Sequence, residues 1–215
     1  GTGSNNTEHA AYLAQKSEEA GADGVLIVTP YYNKTTQKGL VAHYTSIAES
    51  INIPIILYNV PARTGMSINP ETCYELSKVK NIVGIKEASG NFSNIAKIAS
   101  LCPGFDIYSG NDDQIVPILS LGGKGIISVL ANIAPRQVHD TVASFLGGNI
   151  EESLRLQLEA LSLIEALFSE VSPGPVKTAL NLMGFNAGKC RLPLVDMEEK
   201  NLAFLKRELA GYGLI

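Results

Sequence analysis

The sequence is poor in the residues that build disulfide frameworks and metal sites. Its 215 residues include three cysteines and three histidines, and tryptophan is absent. Cys73, Cys102 and Cys190 have neither a disulfide-framework nor a zinc spacing, so we expect buried apolar residues or isolated surface thiols. The three histidines share no ligand spacing either, and we therefore predict that the protein uses no metal.

Charge of one sign and long apolar runs are also scarce. The formal net charge is −4, and the lysines and arginines are scattered rather than clustered. This pattern argues against a nucleic-acid surface and favours small-molecule substrates. No run approaches the roughly 18 apolar residues of a membrane span, and no signal-peptide pattern opens the chain. We therefore predict a cytoplasmic protein that does not act at a membrane.

One module recurs along the chain: an amphipathic helix, a Gly or Asn, and then a short β-branched apolar run. Five such runs predict strands at 24–29, 54–58, 82–86, 105–109 and 125–129, with starts 20 to 30 residues apart. Apolar strands separated by helices are typical of a parallel sheet covered on its faces. The spacing is that of a (β/α)₈ TIM barrel, in which roughly 250 residues form eight units.

Five βα units do not close an eight-stranded barrel, so two α/β architectures remain. One is a TIM barrel missing about its first three βα units, and the other is a five-stranded doubly wound sheet. No G-x-G-x-x-G follows a predicted strand, which counts against a Rossmann version of the second. The chain starts at Gly1 with what reads as a strand end before a helix, so we predict the incomplete barrel and further residues upstream.

After the fifth unit the alternation of strands and helices stops. Residues 150–171 read as one long amphipathic helix, and two further helices are predicted before the end of the chain. No linker or low-complexity segment separates them from the rest. We therefore predict a partial barrel over residues 1–149 and a C-terminal three-helix extension, packed on the barrel, over residues 150–215.

Lys86 ends the apolar run "IVGIK", at the side of a TIM barrel where active sites lie. Strict alternation places Ile82, Gly84 and Lys86 on one face of the strand and Glu87 on the other, so Glu87 is not expected to neutralise the lysine. Attack on a carbonyl requires the neutral amine, and burial lowers the pKa of lysine from about 10.4. A lysine that reaches solvent or pairs with an acid is the alternative interpretation.

Three neighbours favour a Schiff-base site around this lysine. Tyr58 ends the preceding strand, where a phenol could transfer protons during imine formation, although a core-edge tyrosine is equally common. Gly84 would leave room for a ligand inside the barrel. Arg63, in a Pro-x-Arg-Thr-Gly turn, could bind a substrate carboxylate or could simply be solvated.

Four motifs carry a resemblance to a known family. "TPYYN", "YNVPARTG", "GIKEASG" and "GGKGIISV", in this order and spacing, resemble the 4-hydroxy-tetrahydrodipicolinate synthase family of pyruvate-dependent class I aldolases, over the whole chain. The resemblance implies a lyase of lysine and diaminopimelate biosynthesis that condenses pyruvate with L-aspartate-4-semialdehyde. It also implies a homotetramer, built as a dimer of dimers, with no cofactor beyond the covalent pyruvate imine on Lys86.

The resemblance assigns roles to individual residues. Lys86 would form the Schiff base, Tyr58 would relay protons, and Tyr32 would reach across a dimer interface to complete the relay in the neighbouring subunit. Arg63 would orient the aldehyde substrate. Three further residues would line the substrate pocket: Asn59, Gly110 and, through its backbone, Ile127.

The sequence departs from the family pattern in two places. The family's Thr-Thr-Gly-Glu loop, which binds the pyruvate carboxylate, does not occur and would belong to upstream strands. A lysine effector site would match Gly3, Asn5 and Tyr31, but His9 stands where lysine-sensitive members carry an acid, which argues against feedback inhibition.

Two rival functions remain open. The first is another pyruvate-dependent aldolase, such as an N-acetylneuraminate lyase or a 2-keto-3-deoxy sugar acid aldolase. Arg63 and the Tyr31-Tyr32 pair favour the synthase over these relatives. The second is a non-catalytic truncated barrel kept for protein interaction.

Overall fold

The computed structural model describes all residues from 1 to 215 and contains one sheet of five parallel strands. The strands are β1 (Val25–Val28), β2 (Ile55–Asn59), β3 (Ile82–Glu87), β4 (Asp106–Ser109) and β5 (Gly125–Ile126). All five predicted strands are present, and β5 is shorter than predicted. Each strand lies beside its predecessor. A doubly wound sheet instead reverses its strand order at a switch point, so that alternative is wrong.

Eleven α-helices separate and follow the strands. They are α1 (Thr7–Glu19), α2 (Gln37–Ala48), α3 (Pro61–Thr64), α4 (Pro70–Leu76), α5 (Phe92–Leu101), α6 (Ile115–Ser120), α7 (Pro135–Leu146), α8 (Ile150–Glu159), α9 (Leu161–Leu167), α10 (Gly174–Leu182) and α11 (Glu199–Gly211). Two 3₁₀ helices occupy Asp112–Gln114 and Leu130–Asn132. Four of the longer helices, α1, α2, α5 and α8, start where the sequence supplies an oxygen acceptor, because the first backbone N–H groups have no partner within the helix. The side chains that accept such a bond belong to Asn6, Thr36, Asn91 and Asn149.

The apolar core lies on one face of the sheet. Burial alternates along β1 and β2, where Ile27, Ile55 and Leu57 are fully buried while the residues between them are only partly buried. These side chains join buried residues of α1, α2, α4 and α5 in one cluster. Each fully buried Ile or Leu contributes about 1.5–3 kcal/mol. The helices therefore pack against this face of the sheet, and polar side chains can lie on the other face.

The pairing of β2 with β3 contains an irregularity that changes which residues share a face. Ile55 pairs with Ile82, but the next residue, Ile56, pairs with Gly84, so Val83 is an extra residue on β3. Strict alternation had predicted Ile82 and Lys86 on the same face. Because of the extra residue, Ile82 instead belongs to the buried core with Ile55, while Lys86 is only partly buried.

The chain divides into two compact units, residues 1–127 and 128–215. The predicted boundary at residues 149 and 150 falls inside the second unit because α7 is bonded to α8. Ser153 Oγ donates to the Thr141 carbonyl at 2.6 Å, and Gln137 Nε2 donates to the Leu156 carbonyl at 2.7 Å. These bonds keep α7 with the helices that follow it.

The predicted C-terminal three-helix extension contains four helices. The segment read as one long helix breaks at Ala160 into α8 and α9, and α10 and α11 follow. No proline or glycine marks the break, which is why the sequence pattern did not indicate it. No helix in the structure combines the length and the apolar character needed to cross a membrane.

Candidate active site

Lys86 and Tyr58 lie side by side on adjacent strands. Lys86 is paired in register with Tyr58 of β2 and with Tyr108 of β4. Its Nζ atom is 4.4 Å from the centroid of the Tyr58 ring. Both side chains are half-buried, on the face opposite the apolar core. The structure thus brings together the amine and the phenol that the sequence singled out.

The surroundings of Lys86 favour its neutral form. Burial lowers the pKa of Lys86 below its ordinary value, the carboxylate of Asp112 opposes this change, and the positive charge of Arg63 adds to it. Asp112 is itself buried, in the 3₁₀ helix that follows β4. Sequence reasoning assigned no role to this acid, which lies three residues after the predicted strand 105–109. The result is an amine that loses its proton more readily than a lysine in water.

The pKa of Tyr58 is shifted in the opposite direction to that of Lys86. Burial raises the pKa of the Tyr58 phenol, and the charge of Arg63 only partly offsets this rise. The phenol therefore keeps its proton at neutral pH. A protonated phenol beside a deprotonated amine can donate a proton to a group bound at the nitrogen.

Arg63 is exposed at the end of the short helix α3, which follows β2. Its backbone N–H donates to the Val60 carbonyl at 2.9 Å, and the Thr64 hydroxyl donates to the carbonyls of Val60 and Met66. Gly65 ends the helix with a φ of 74°, a conformation that favours glycine. This turn holds the guanidinium close enough to influence both Lys86 and Tyr58.

Two glycines lie close to Lys86, and only one of them makes room at its side chain. A Cβ atom on Gly110 would lie 3.1 Å from Lys86 Cε and 2.7 Å from Ala88 Cβ, so Gly110 adjoins the lysine side chain. A Cβ atom on Gly84 would lie 2.5 Å from the Asp106 carbonyl oxygen. The prediction that Gly84 leaves room for a ligand is therefore wrong, because it allows the close approach of β4.

Ile127 and Gly110 are fixed by bonds that continue the sheet. The Gly110 N–H donates to the Glu87 carbonyl at 2.8 Å, and the Ile127 N–H donates to the Ser109 carbonyl at 2.9 Å. Ile127 is half-buried. Both residues thus extend the strand ladder past the carboxyl ends of β3, β4 and β5, the end of the sheet where Lys86 lies.

Asn59 does not contact the Lys86 face, and its assignment to the substrate pocket is wrong. Its side chain is buried on the opposite face and both ends of the amide are occupied. Nδ2 donates to Glu87 Oε2 at 2.9 Å, and Oδ1 accepts from the Ile68 N–H at 3.0 Å. Burial raises the pKa of Glu87, and the bonds from Asn59 and Ser89 limit the rise. Asn59 therefore supports a buried carboxyl group.

Tyr31 and Tyr32 lie in the loop after β1. The Tyr31 carbonyl accepts a hydrogen bond from Asn5 Nδ2 at 3.2 Å, which links two of the three residues matched to an effector site. Gly3, the third, packs against β1, and a Cβ atom there would lie 2.6 Å from Val28 Cγ1. Tyr32 is 94% exposed and has a φ of 69°, an uncommon conformation for a bulky residue. Its side chain points away from the chain that carries it.

No group of three or more His, Cys, Asp or Glu side chains is arranged to hold a metal ion. The polar groups that the structure brings together at this site are the lysine, the phenol and the arginine. An uncharged primary amine beside a phenol can add to a carbonyl group and then lose water, which gives an imine.

Known proteins of one family resemble this chain over almost its whole length. The model of the dihydrodipicolinate synthetase family matches residues 1–211. The curated 4-hydroxy-tetrahydrodipicolinate synthase of Caldicellulosiruptor bescii is 61% identical over 214 residues, covering 100% of this chain and 72% of the relative. Synthase 1 of Clostridium acetobutylicum is 62% identical over 216 residues, covering 100% of this chain and 74% of the relative.

Solved structures give the same result for the fold. The dihydrodipicolinate synthase of Thermotoga maritima is 44% identical, with a TM-score of 0.97, and the alignment covers 100% of this chain and 74% of that one. The enzyme of Cyanidioschyzon merolae, solved with lysine bound, is 41% identical, with a TM-score of 0.98 and the same coverage. The α/β fold of this chain matches these structures over its whole length.

Proposed function

The chain belongs to the dihydrodipicolinate synthetase family, and on that premise we propose that it condenses pyruvate with L-aspartate-4-semialdehyde to give 4-hydroxy-tetrahydrodipicolinate. Its curated relatives at about 60% identity are 4-hydroxy-tetrahydrodipicolinate synthases, lyases that work through a Schiff base. One observation in the structure carries the proposal. The half-buried Lys86 amine, with its lowered pKa, lies 4.4 Å from the centre of the Tyr58 ring.

The first half of the reaction follows from these two groups. Neutral Lys86 Nζ attacks C2 of pyruvate, and Tyr58 donates its proton to the oxygen that leaves as water. The Tyr58 phenolate then takes a proton from the methyl group of the imine, which gives an enamine whose carbon attacks the aldehyde. The amine supplies the electron sink covalently, so the proposal needs no metal and no separate cofactor.

Arg63 has two roles in this proposal. Its positive charge adds to the lowering of the Lys86 pKa and limits the rise in the Tyr58 pKa. Its exposed guanidinium can also form paired hydrogen bonds with the carboxylate of the aldehyde substrate. Gly110, which adjoins Lys86 Cε, and the backbone of Ile127 would then line the pyruvate pocket.

We further propose that β1 to β5 correspond to the last five strands of an eight-stranded barrel. The support is the sequential strand order together with the alignment to 72–74% of the length of the relatives. In that arrangement Lys86 and Tyr58 face the barrel interior. The loop that binds the pyruvate carboxylate would come from the strands that complete the barrel.

Tyr32 supports a proposed homo-oligomer, a dimer of dimers. The Tyr32 side chain is 94% exposed, and its backbone φ of 69° is uncommon for a bulky residue. We infer that the Tyr32 side chain enters the active site of a neighbouring subunit. There it would extend the proton relay from Tyr58, which would explain its unusual conformation. The same loop would form part of the effector site with Gly3 and Asn5, and His9 in place of an acid predicts weak inhibition by lysine.

A second aldolase activity, on N-acetylneuraminate or 2-keto-3-deoxy sugar acids, would use the same imine. Arg63 favours the synthase, because its charge suits a substrate that carries its own carboxylate close to the aldehyde. Turnover of aspartate semialdehyde and of sugar acids should be compared. An Arg63→Ala variant that keeps full activity would favour the sugar-acid reaction.

Borohydride trapping tests the central proposal. The chain is joined to the upstream segment of its Caldicellulosiruptor bescii relative, incubated with pyruvate, reduced with sodium borohydride and mapped by mass spectrometry. We expect one adduct, at Lys86, which disappears in Lys86→Arg and persists in Lys97→Arg, a matched change at an exposed lysine of α5. Absence of the adduct at Lys86 would contradict the proposal and support a non-catalytic barrel.

A further inference from the structure

The chain that carries Arg63 is closed at its base by a hydrogen bond. Residues 60–67, here called the Arg63 segment, connect the end of β2 to the residues that lead into α4. Asn59, just before the segment, accepts a bond at Oδ1 from the N–H of Ile68, just after it, at 3.0 Å. The two ends of the Arg63 segment are therefore held together, and a group that fixes the residues at its far end also restricts Arg63.

Bonds inside the Arg63 segment make it a compact unit. The Thr64 hydroxyl donates to the Val60 carbonyl at 3.2 Å and to the Met66 carbonyl at 3.0 Å. The Gly65 N–H donates to the Pro61 carbonyl at 2.9 Å. All of these bonds begin and end within the segment, so they fix its internal shape. Its position relative to the rest of the chain depends on bonds to neighbouring elements.

Gln37, the first residue of α2, supplies such bonds. Its Nε2 atom donates to the Ser67 carbonyl at 2.9 Å. Its Oε1 atom accepts from the Asn69 N–H at 3.0 Å and from the Thr72 hydroxyl at 2.7 Å. The side chain is partly buried, and both ends of its amide are occupied. Gln37 thus joins α2 to the end of the Arg63 segment and to the start of α4.

We propose that Gln37 is a positioning residue, whose amide anchors the Arg63 segment to α2 and thereby holds Arg63 in place to orient the aldehyde substrate. This inference rests on the proposed function, in which Arg63 binds the carboxylate of that substrate. Gln37 acts through Arg63 rather than on the reacting atoms. Displacing a reacting group by about 1 Å can lower a rate by about 10²-fold, so a small movement of the segment is enough to affect the condensation.

Two substitutions of Gln37 test the inference, in the chain joined to the upstream segment of its Caldicellulosiruptor bescii relative. Gln37→Met keeps the length of the side chain and loses all three bonds, and we expect it to lower kcat/KM for aspartate semialdehyde by about tenfold. Gln37→Glu loses the bond donated to Ser67 and should lower kcat/KM too. The half-saturating pyruvate concentration in borohydride trapping should stay the same, because imine formation precedes the step that uses Arg63. Gln15→Met, at an exposed glutamine of α1, is the matched control and should change neither value.

Dependence on Arg63 separates positioning from a merely structural role. In an Arg63→Ala background Gln37→Met should cause no further loss of kcat/KM, because the residue that it positions is absent. A general disturbance of the fold would instead lower kcat/KM in both backgrounds. Urea unfolding shows which variants are folded under the assay conditions.

The outcomes that would overturn the inference are distinct from failure of the proposed function. An unchanged kcat/KM in folded Gln37→Met, or a loss that persists in full in the Arg63→Ala background, would overturn it. Should Gln37→Met not fold, Gln37→Glu is measured in its place, and unfolding of both would assign Gln37 to the fold alone and overturn the inference as well. If the proposed function itself is wrong, the unsubstituted protein forms no imine at Lys86.

Discussion

Replacing Asn59 by alanine should destabilise the fold rather than weaken substrate binding. The substitution leaves the buried Ile68 N–H without its acceptor, at about 1–3 kcal/mol, and removes a charge-assisted bond to Glu87, worth about 1.5–3 kcal/mol. We therefore expect a loss of about 4 kcal/mol in the free energy of unfolding. For a chain of this size that lowers Tm by about 8–16 °C. Asn52→Ala, at an exposed asparagine, should change the free energy of unfolding by less than about 0.5 kcal/mol.

The destabilisation by Asn59→Ala should also depend on pH. Asn59 limits the rise in the Glu87 pKa, so its removal raises that pKa further. Below the unfolded pKa of Glu87 the carboxyl group is protonated in both states, and the extra cost is absent. The cost grows as pH rises through the folded pKa, because the folded state then has to ionise a poorly supported carboxyl group. Urea unfolding at acidic and at neutral pH measures the pH-independent and the pH-dependent loss of stability. Borohydride trapping gives the half-saturating pyruvate concentration. A loss below about 1 kcal/mol with an increased half-saturation would refute the structural role.

Three further predictions concern Lys86 and the glycines around it. The rate of imine trapping should rise with pH and level off below 10.5, because the folded pKa of Lys86 is lowered, and a plateau at or above 10.5 would contradict this. Arg63→Ala should move the plateau to higher pH, most clearly at low ionic strength, because a positive charge near the amine is lost; an unchanged profile would exclude that influence. Gly84→Ala should cost about 1–3 kcal/mol in urea unfolding, since its Cβ would lie 2.5 Å from the Asp106 carbonyl oxygen. Gly110→Ala should cost a similar amount, since its Cβ would lie 2.7 Å from Ala88 Cβ, and should in addition reduce trapping at Lys86, whose Cε would lie 3.1 Å from the new atom.

The strands could be predicted from the sequence because β-branched runs at regular spacing are a local signal. The choice between an incomplete barrel and a doubly wound sheet depends on which strands are neighbours, and only the observed sequential order excludes the second. The break at Ala160 was missed because neither proline nor glycine marks it. The extra residue Val83 was missed because a shift in pairing leaves no trace in one strand's own pattern.

The sequence predicted some residues of the site correctly and misassigned or missed others. Lys86 and Tyr58 were found because each ends a strand, where parallel sheets gather their functional groups. Asn59 was misassigned although the alternation used for Glu87 also applies to it: it follows Tyr58 directly and so faces the other way. The influence of Asp112 on Lys86 depends on a tertiary contact between different strand ends, which no local pattern encodes.

The irregular pairing of β2 with β3 decides which side chain meets Tyr58. If the register that pairs Ile55 with Ile82 continued without the shift, Tyr58 would pair with Ile85 and Asn59 with Lys86. The lysine would then face the apolar core, where Glu87 now lies, and the phenol would have an isoleucine beside it. The extra residue at Val83 moves each later residue of β3 by one position. It thereby places the amine beside the phenol and the carboxyl group of Glu87 behind the sheet, where it cannot neutralise the amine.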